Sequence, residues 1–229
     1  MTSQIINSDC YPVTPLTRVR RLANLASYDT NTVYSVLDAA YVCHVAFTVE
    51  GQPHCIPTAH WRHGNTLYIH GSFGSRLLQA LINGASAVVT VTLLDGLVFA
   101  RSAFNHSMNY RSVVIYGQFS SIEVPAQKIE LLRAFMERLA PGRWDEIRQP
   151  TENELNATTL LAMPIEEAVA KISSGPPKDD LADCAWPVWA GVLPIKQDFA
   201  APQGCSDLPA GIALPNYFPR GAITGGNES

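Results

Sequence analysis

Residues 42–70 read Val42-Cys43-His44-Val45-Ala46-Phe47-Thr48-Val49, Glu50-Gly51-Gln52-Pro53, His54-Cys55-Ile56-Pro57-Thr58-Ala59-His60-Trp61, Arg62-His63-Gly64-Asn65 and Thr66-Leu67-Tyr68-Ile69-His70. Three runs rich in β-branched and aromatic residues are separated by two glycine-containing turns. This predicts strands over 42–49, 54–61 and 66–70, joined by turns at 50–52 and 63–65. With Gly51 and Gln52 as the hairpin tip, His60 lies opposite Cys43 and Thr58 opposite Val45. Such short connections make antiparallel neighbours, not the strand–helix–strand alternation of a parallel sheet.

The same reading extends outward. Residues 31–40 suit a helix, capped by Asp29 or Thr30, with Val33, Val36, Leu37 and Ala40 on one stripe. Residues 71–74 form a loop, and 75–83 suit a short helix ended by Gly84. Residues 87–94 and 97–100 read as strands about an Asp95-Gly96 turn. Residues 113–121 and 158–165 read as further strands. Pro125 opens an amphipathic helix to Leu139, and Pro141-Gly142 stops it. Residues 1–27 read as an N-terminal arm, 28–173 as the domain, and 174–229 as an extended Pro/Gly-rich tail with a docking segment at 186–195. The expected architecture is mainly β: an antiparallel barrel of six to eight strands with helical covers.

Composition narrows the function classes. The chain has 229 residues, of which 47% are apolar, and a net charge of −4. Its basic residues are scattered, so no electrostatic footprint for nucleic acid is expected. No apolar run is long enough to span a bilayer, and the first residues lack the pattern of a secretory leader. Cys10, Cys43, Cys55, Cys184 and Cys205 are odd in number and include no Cys-x-x-Cys. This favours a reducing cytoplasm and no structural metal. A barrel this small fills itself with side chains, so a sizeable ligand belongs outside, at a groove or subunit interface.

Three segments carry polar groups that could serve a ligand. His70-Gly71-Ser72-Phe73-Gly74-Ser75-Arg76 leaves a strand and enters a helix. Its hydroxyls, helix amides and forked cation suit a phosphate, although a plain N-capped loop fits too. In Ile56-Pro57-Thr58-Ala59-His60, a proline within a strand marks an edge or bulge, which leaves amides free for a planar heterocycle. An ordinary edge strand with exposed histidines also fits. The stretch from Arg101 to Gly117 holds Arg101, Asn105, His106, Asn109, Arg111 and Ser112, groups suited either to a ligand's polar edge or to an interface. Ser107, His106 and Asp95 make a poor triad, because adjacent side chains of extended chain point to opposite faces.

Taken together, these motifs resemble the pyridoxamine 5′-phosphate oxidase-related flavin-nucleotide-binding proteins, in the branch similar to nitroimidazole-resistance proteins. The resemblance runs from about residue 18 to 196. It rests on Tyr28-Asp29, Gly51-Gln52-Pro53, Ile56-Pro57-Thr58, Leu67-Tyr68-Ile69-His70-Gly71-Ser72, Ser75-Arg76, Thr90-Val91-Thr92 and Asp95-Gly96-Leu97-Val98. Residues 100–117, Pro141-Gly142-Arg143-Trp144 and Trp189-Ala190-Gly191-Val192-Leu193-Pro194 complete it.

The resemblance implies an FMN-binding split β-barrel and a homodimer with flavin at the subunit interface. It implies ring contacts from Ile56, Pro57, Thr58, Ala59 and His60, and phosphate contacts from His70, Gly71, Ser72, Ser75 and Arg76. Further contacts fall to Asn109, Arg111, Ser112 and Trp189. Leu77 stands where a lysine often follows the Ser-Arg pair, and the basic set for pyridoxal phosphate is missing. The expected activity is an FMN-dependent oxidoreductase with small-molecule electron donor and acceptor, and His60 and His106 are the candidate proton donors. A haem-binding barrel and a non-catalytic flavin store are the alternatives.

Overall fold

The computed structural model describes residues 9–218. In chain order the elements are β1 (Ala26–Ser27), α1 (Thr30–Ala39), β2 (Val42–Val49), β3 (Gln52–His63), β4 (Thr66–Ser72), α2 (Arg76–Ile82) and β5 (Ser86–Phe99). They continue with β6 (Ser107–Gln118), β7 (Ser120–Ser121), α3 (Pro125–Leu139), α4 (Glu152–Ala157), β8 (Thr158–Pro164), β9 (Glu167–Ser173) and β10 (Gly191–Pro194). The strands form one antiparallel sheet in the order β1-β9-β6-β5-β2-β3-β4-β8-β7, with β10 added to β5. The mainly β architecture with helical covers is therefore as expected. The ten strands exceed the expected six to eight because β1, β7 and β10 are short additions of two to four residues.

Alternation sets the inside and outside of this sheet. Cys43, Val45 and Phe47 of β2, Leu67 and Ile69 of β4, Val89 and Val91 of β5, and Leu161 and Met163 of β8 all face one core. Val33, Val36 and Leu37 of α1 and Leu77, Leu78 and Leu81 of α2 pack into it. The opposite faces of β3, β4 and β8 present Trp61, Tyr68, Leu160 and Ala162, which α3 covers with Leu131, Leu132 and Phe135. The Asp29 carboxylate caps α1 by accepting from the Thr32 amide at 2.7 Å. At the other end of α1, Arg138 of α3 donates to the Ala40 carbonyl, so one cation caps one helix and ties it to another.

Several expectations need correction. The β2–β3 hairpin turns at Glu50-Gly51, both at positive φ, so Cys43 faces Thr58 and Val45 faces Ile56. The error is two residues, which leaves every side chain on its assigned face. Asp95-Gly96 is not a turn. It lies inside the single strand β5, where the pairing with β6 shifts between Leu94 and Gly96. That bulge lets one strand serve two partners: its first half pairs with β2 and its end with β10. A Cβ at Gly96 would come within 3.1 Å of the Leu193 backbone oxygen, so glycine permits this approach. Residues 107–112 are strand and not loop, while α4 and β9 went unforeseen.

The N-terminal arm docks. Tyr11 is buried, its amide donates to the Tyr28 carbonyl at 2.8 Å, and its hydroxyl donates to the Asn65 side chain. Residues 1–8 lie outside the described part. Between 174 and 218 the described chain has β10 as its regular element. No helix among the described residues is long and apolar enough to cross a membrane.

Candidate functional site

Residues 52–59 of β3 pair with β2, but β4 joins β3 only from His60 onward. One edge of 52–59 is therefore open among the described residues. The His60 amide donates to the Tyr41 carbonyl on the β2 side. By alternation, the backbone groups of Cys55, Pro57 and Ala59 face the open edge. Pro57 thus sits where its missing N–H breaks no ladder bond. The free edge offers the Ala59 N–H as a donor and the Pro57 carbonyl as an acceptor. Ile56, Thr58 and Ala59 are half-buried and Pro57 is exposed.

At the end of β4 the chain opens into the Gly-Ser turn. Ser72, Phe73 and Gly74 are exposed, and the Ser75 amide donates to the Ser72 carbonyl at 3.0 Å. Ser75 occupies the N-cap of α2 but its hydroxyl makes no capping bond, and α2 is only seven residues long. So short a helix adds little dipole, and the turn's charge comes from Arg76. That guanidinium is exposed and has no hydrogen bond or ion pair among the described residues. A Cβ at Gly71 would meet Leu78 at 3.0 Å, so glycine keeps the turn close against α2. Leu77, next along the chain, packs into the core and adds no second cation, as the sequence implies. Lys128 of α3, which was not foreseen, brings an ammonium nearby: it donates to the carbonyl of Thr158, the residue paired with Ser72.

The two histidines of this region turn away from the turn and the edge. His60 is fully buried, and its Nε2 lies 3.1 Å from the Leu37 carbonyl of α1. Burial lowers its pKa to about 4, so the ring is neutral at ordinary pH. This geometry makes His60 a link between β3 and α1, with no face open to a substrate. His70 lies under α3, with ring centroids 5.0 Å from Phe135 and 5.6 Å from Trp61, and burial lowers its pKa too. Its contribution to the turn is therefore backbone, through pairing with Leu160.

The third cluster is occupied within the chain. Arg111 pairs with Asp95 through two bonds of 2.9 and 2.7 Å, Asn109 donates to the Gly175 carbonyl, and Ser112 donates to the Lys171 carbonyl. Arg101 pairs with Asp179 at 2.8 Å. Asn109 and Arg101 fasten the start of the tail, whereas Arg111 ties β6 to β5 and Ser112 ties β6 to β9. Along the sheet, β5, β2 and β3 separate β6 from β4, so one chain does not gather this cluster with the Gly-Ser turn. His106 is exposed at the start of β6, beside Phe99. Trp189 is exposed and packs on Phe99 at 5.9 Å.

A family model described as pyridoxamine 5′-phosphate oxidase matches residues 29–172. No curated protein matches the chain. Among solved structures, the flavocytochrome Anf3 from Azotobacter vinelandii is 40% identical, with a TM-score of 0.85 over 89% of this chain and 94% of that one. The FAD and heme binding protein from Mycobacterium smegmatis is 39% identical, with a TM-score of 0.81 over 84% of this chain and 95% of that one. The architecture, the matched span and these likenesses agree, and the chain belongs to the pyridoxamine 5′-phosphate oxidase-like split-barrel family.

Proposed function

We propose that this protein is a redox protein that binds a flavin nucleotide together with a haem. One observation carries the flavin half: an open Gly-Ser turn with an unengaged arginine, next in the sheet to a strand edge with free backbone groups. Arg76 would meet the phosphate as a charge-assisted donor, helped by the Ser72 and Ser75 hydroxyls. The Ala59 N–H and Pro57 carbonyl would meet the polar rim of the ring system, with Ile56 and Thr58 along the same strand.

FMN, the cofactor expected from the sequence, is the least ligand this donor set requires. FAD carries the same phosphate, and the 39%-identical relative is named for FAD. The haem half is supported by the names of the two relatives near 40% identity, a flavocytochrome and a heme binding protein. When bound, the flavin supplies one- and two-electron transfer. The chain's part is to hold, orient and shield it, and His60 serves as a positioning residue for β3. Oxidation of pyridoxamine 5′-phosphate itself is disfavoured because the sequence lacks the basic set for that substrate. A homodimer is part of the proposal, because Phe104, Trp186, Trp189 and Leu193 leave apolar surface to be covered. Small-molecule electron donor and acceptor complete it.

The test is the visible spectrum of the purified full chain, before and after incubation with FMN, FAD and hemin. Released flavin is identified by chromatography and haem by its pyridine complex. Bound flavin and haem support the reading, and a colourless protein that takes up none of the three overturns it. NAD(P)H oxidation coupled to a quinone then separates an enzyme from a flavin store.

A further inference from the structure

His106 stands apart from the other histidines of the chain. Its Nδ1 lies 2.9 Å from the Ser102 carbonyl. A carbonyl oxygen only accepts, so this nitrogen carries the proton, and in the neutral ring the lone pair is on Nε2. A ligating histidine commonly has this arrangement: one nitrogen donates to backbone and fixes the ring, and the other faces a metal. His60 is buried against α1 and His70 lies under Phe135. His54 stacks on Phe47, and His44, His54 and His63 make no side-chain hydrogen bond that fixes a tautomer among the described residues.

The surroundings of His106 are apolar and uncovered. Its ring meets the edge of Phe99 at 5.9 Å and 80°, and Phe99 in turn packs on Trp189. Leu97 pairs with both Met108 and Leu193, so these three share one sheet face, which Phe99 joins by alternation. Phe104 is 93% exposed, Trp189 68% and Met108 53%. A single oriented imidazole amid exposed aromatic and thioether groups suits a flat apolar macrocycle with a metal at its centre.

We infer that His106 is the protein ligand of the haem iron, through Nε2, and that Phe99, Phe104, Met108 and Trp189 supply its apolar surroundings. This rests on the flavin-and-haem reading above. It also explains why the tail is pinned here: β10 carries Trp189's neighbourhood onto β5, and a Cβ at Gly191 would strike the Trp189 ring at 2.8 Å.

The experiment is a titration of the full chain with ferric hemin, followed by the Soret and visible bands and by electron paramagnetic resonance. Wild type, His106→Ala and His63→Ala are compared, and flavin uptake is measured separately. The expected result is saturable binding by wild type and by His63→Ala. His106→Ala should bind roughly tenfold more weakly or worse and lose the wild-type spectrum, and added imidazole should restore it. Should His106→Ala fail to fold, His106→Met asks the same question: a changed spectrum with haem retained supports the assignment, and an unchanged one overturns it. Wild-type affinity and spectrum in His106→Ala overturn it while leaving the haem reading intact. A wild-type chain that takes up flavin but no hemin overturns both the assignment and the haem half of the proposed function. A covered but haem-free face, seen as a dimer broken by Trp189→Ala with no hemin uptake, does the same.

Discussion

Replacing Arg76 with alanine removes a cation that the fold itself does not use. The guanidinium is exposed and makes no hydrogen bond or ion pair among the described residues. Surface changes of this kind leave stability within about 0.5 kcal/mol. A charge-assisted bond to phosphate, by contrast, contributes about 1.5–3 kcal/mol. At about 1.4 kcal/mol per decade, Arg76→Ala should weaken FMN or FAD by roughly ten- to a hundredfold. Flavin fluorescence during titration reads the affinity, and thermal melting reads the fold. Riboflavin is the internal control, since it has the ring but no phosphate. Wild type and Arg76→Ala should bind riboflavin equally. The reasoning fails if the variant holds FMN as tightly as wild type, or if riboflavin is lost by the same factor, because the arginine would then act on the ring or on the fold.

Burial holds the His60 imidazole neutral down to about pH 4, whereas the unfolded chain takes up that proton near 6.5. Between those values the unfolded state binds more protons, so stability falls as pH drops from about 6.5 to about 4, by up to ~3 kcal/mol, and levels off below. His70 shifts in the same direction and adds to the slope; urea melts of His60→Gln across this window should show a flatter dependence, and an unchanged slope would refute the assignment. Phe135→Ala opens the layer that covers Trp61 and His70, and should cost about 3 kcal/mol in chemical denaturation, with a change in tryptophan fluorescence. Asp179→Ala frees Arg101 and unpins the tail; limited proteolysis should cleave between residues 174 and 190 faster than in wild type, with little change in melting temperature.

The parts of the fold legible in the sequence are those where one physical rule acts alone. Residues 42–49 are rich in β-branched and aromatic residues ahead of a glycine turn, and residues 125–139 carry one apolar stripe behind an N1 proline, so the expected bounds of both elements match the structure. Where two rules compete, the reading slips. Asp95-Gly96 has turn chemistry, but the partner strand β10 lies nearly a hundred residues away and converts the site into a bulge. Residues 107–112 look too polar for a strand because Asn109, Arg111 and Ser112 bond to the tail, β5 and β9, long-range demands that no local window reveals. The helix α4 carried a usable signal, since Thr151 and Glu154 form a capping box.

The candidate site divides in the same way. The place of Arg76 and the Gly-Ser turn between β4 and α2 is legible because one short segment contains them. Lys128 was not, because only the packing of α3 brings its ammonium to β8. His60 was misread as a proton donor because its neighbour in space is the end of α1, a contact that strand chemistry does not announce.

The join between β5 and β10 has a consequence during synthesis. Residues 96–99 gain the partner on that side only when residues 191–194 have left the ribosome, long after β5 itself. Until then the nascent protein presents a ribbon of unpaired amides and carbonyls beside Phe99, a template on which another unfinished chain can dock. A message truncated ahead of β10 should therefore yield a product that is folded in its core yet prone to clump at this seam.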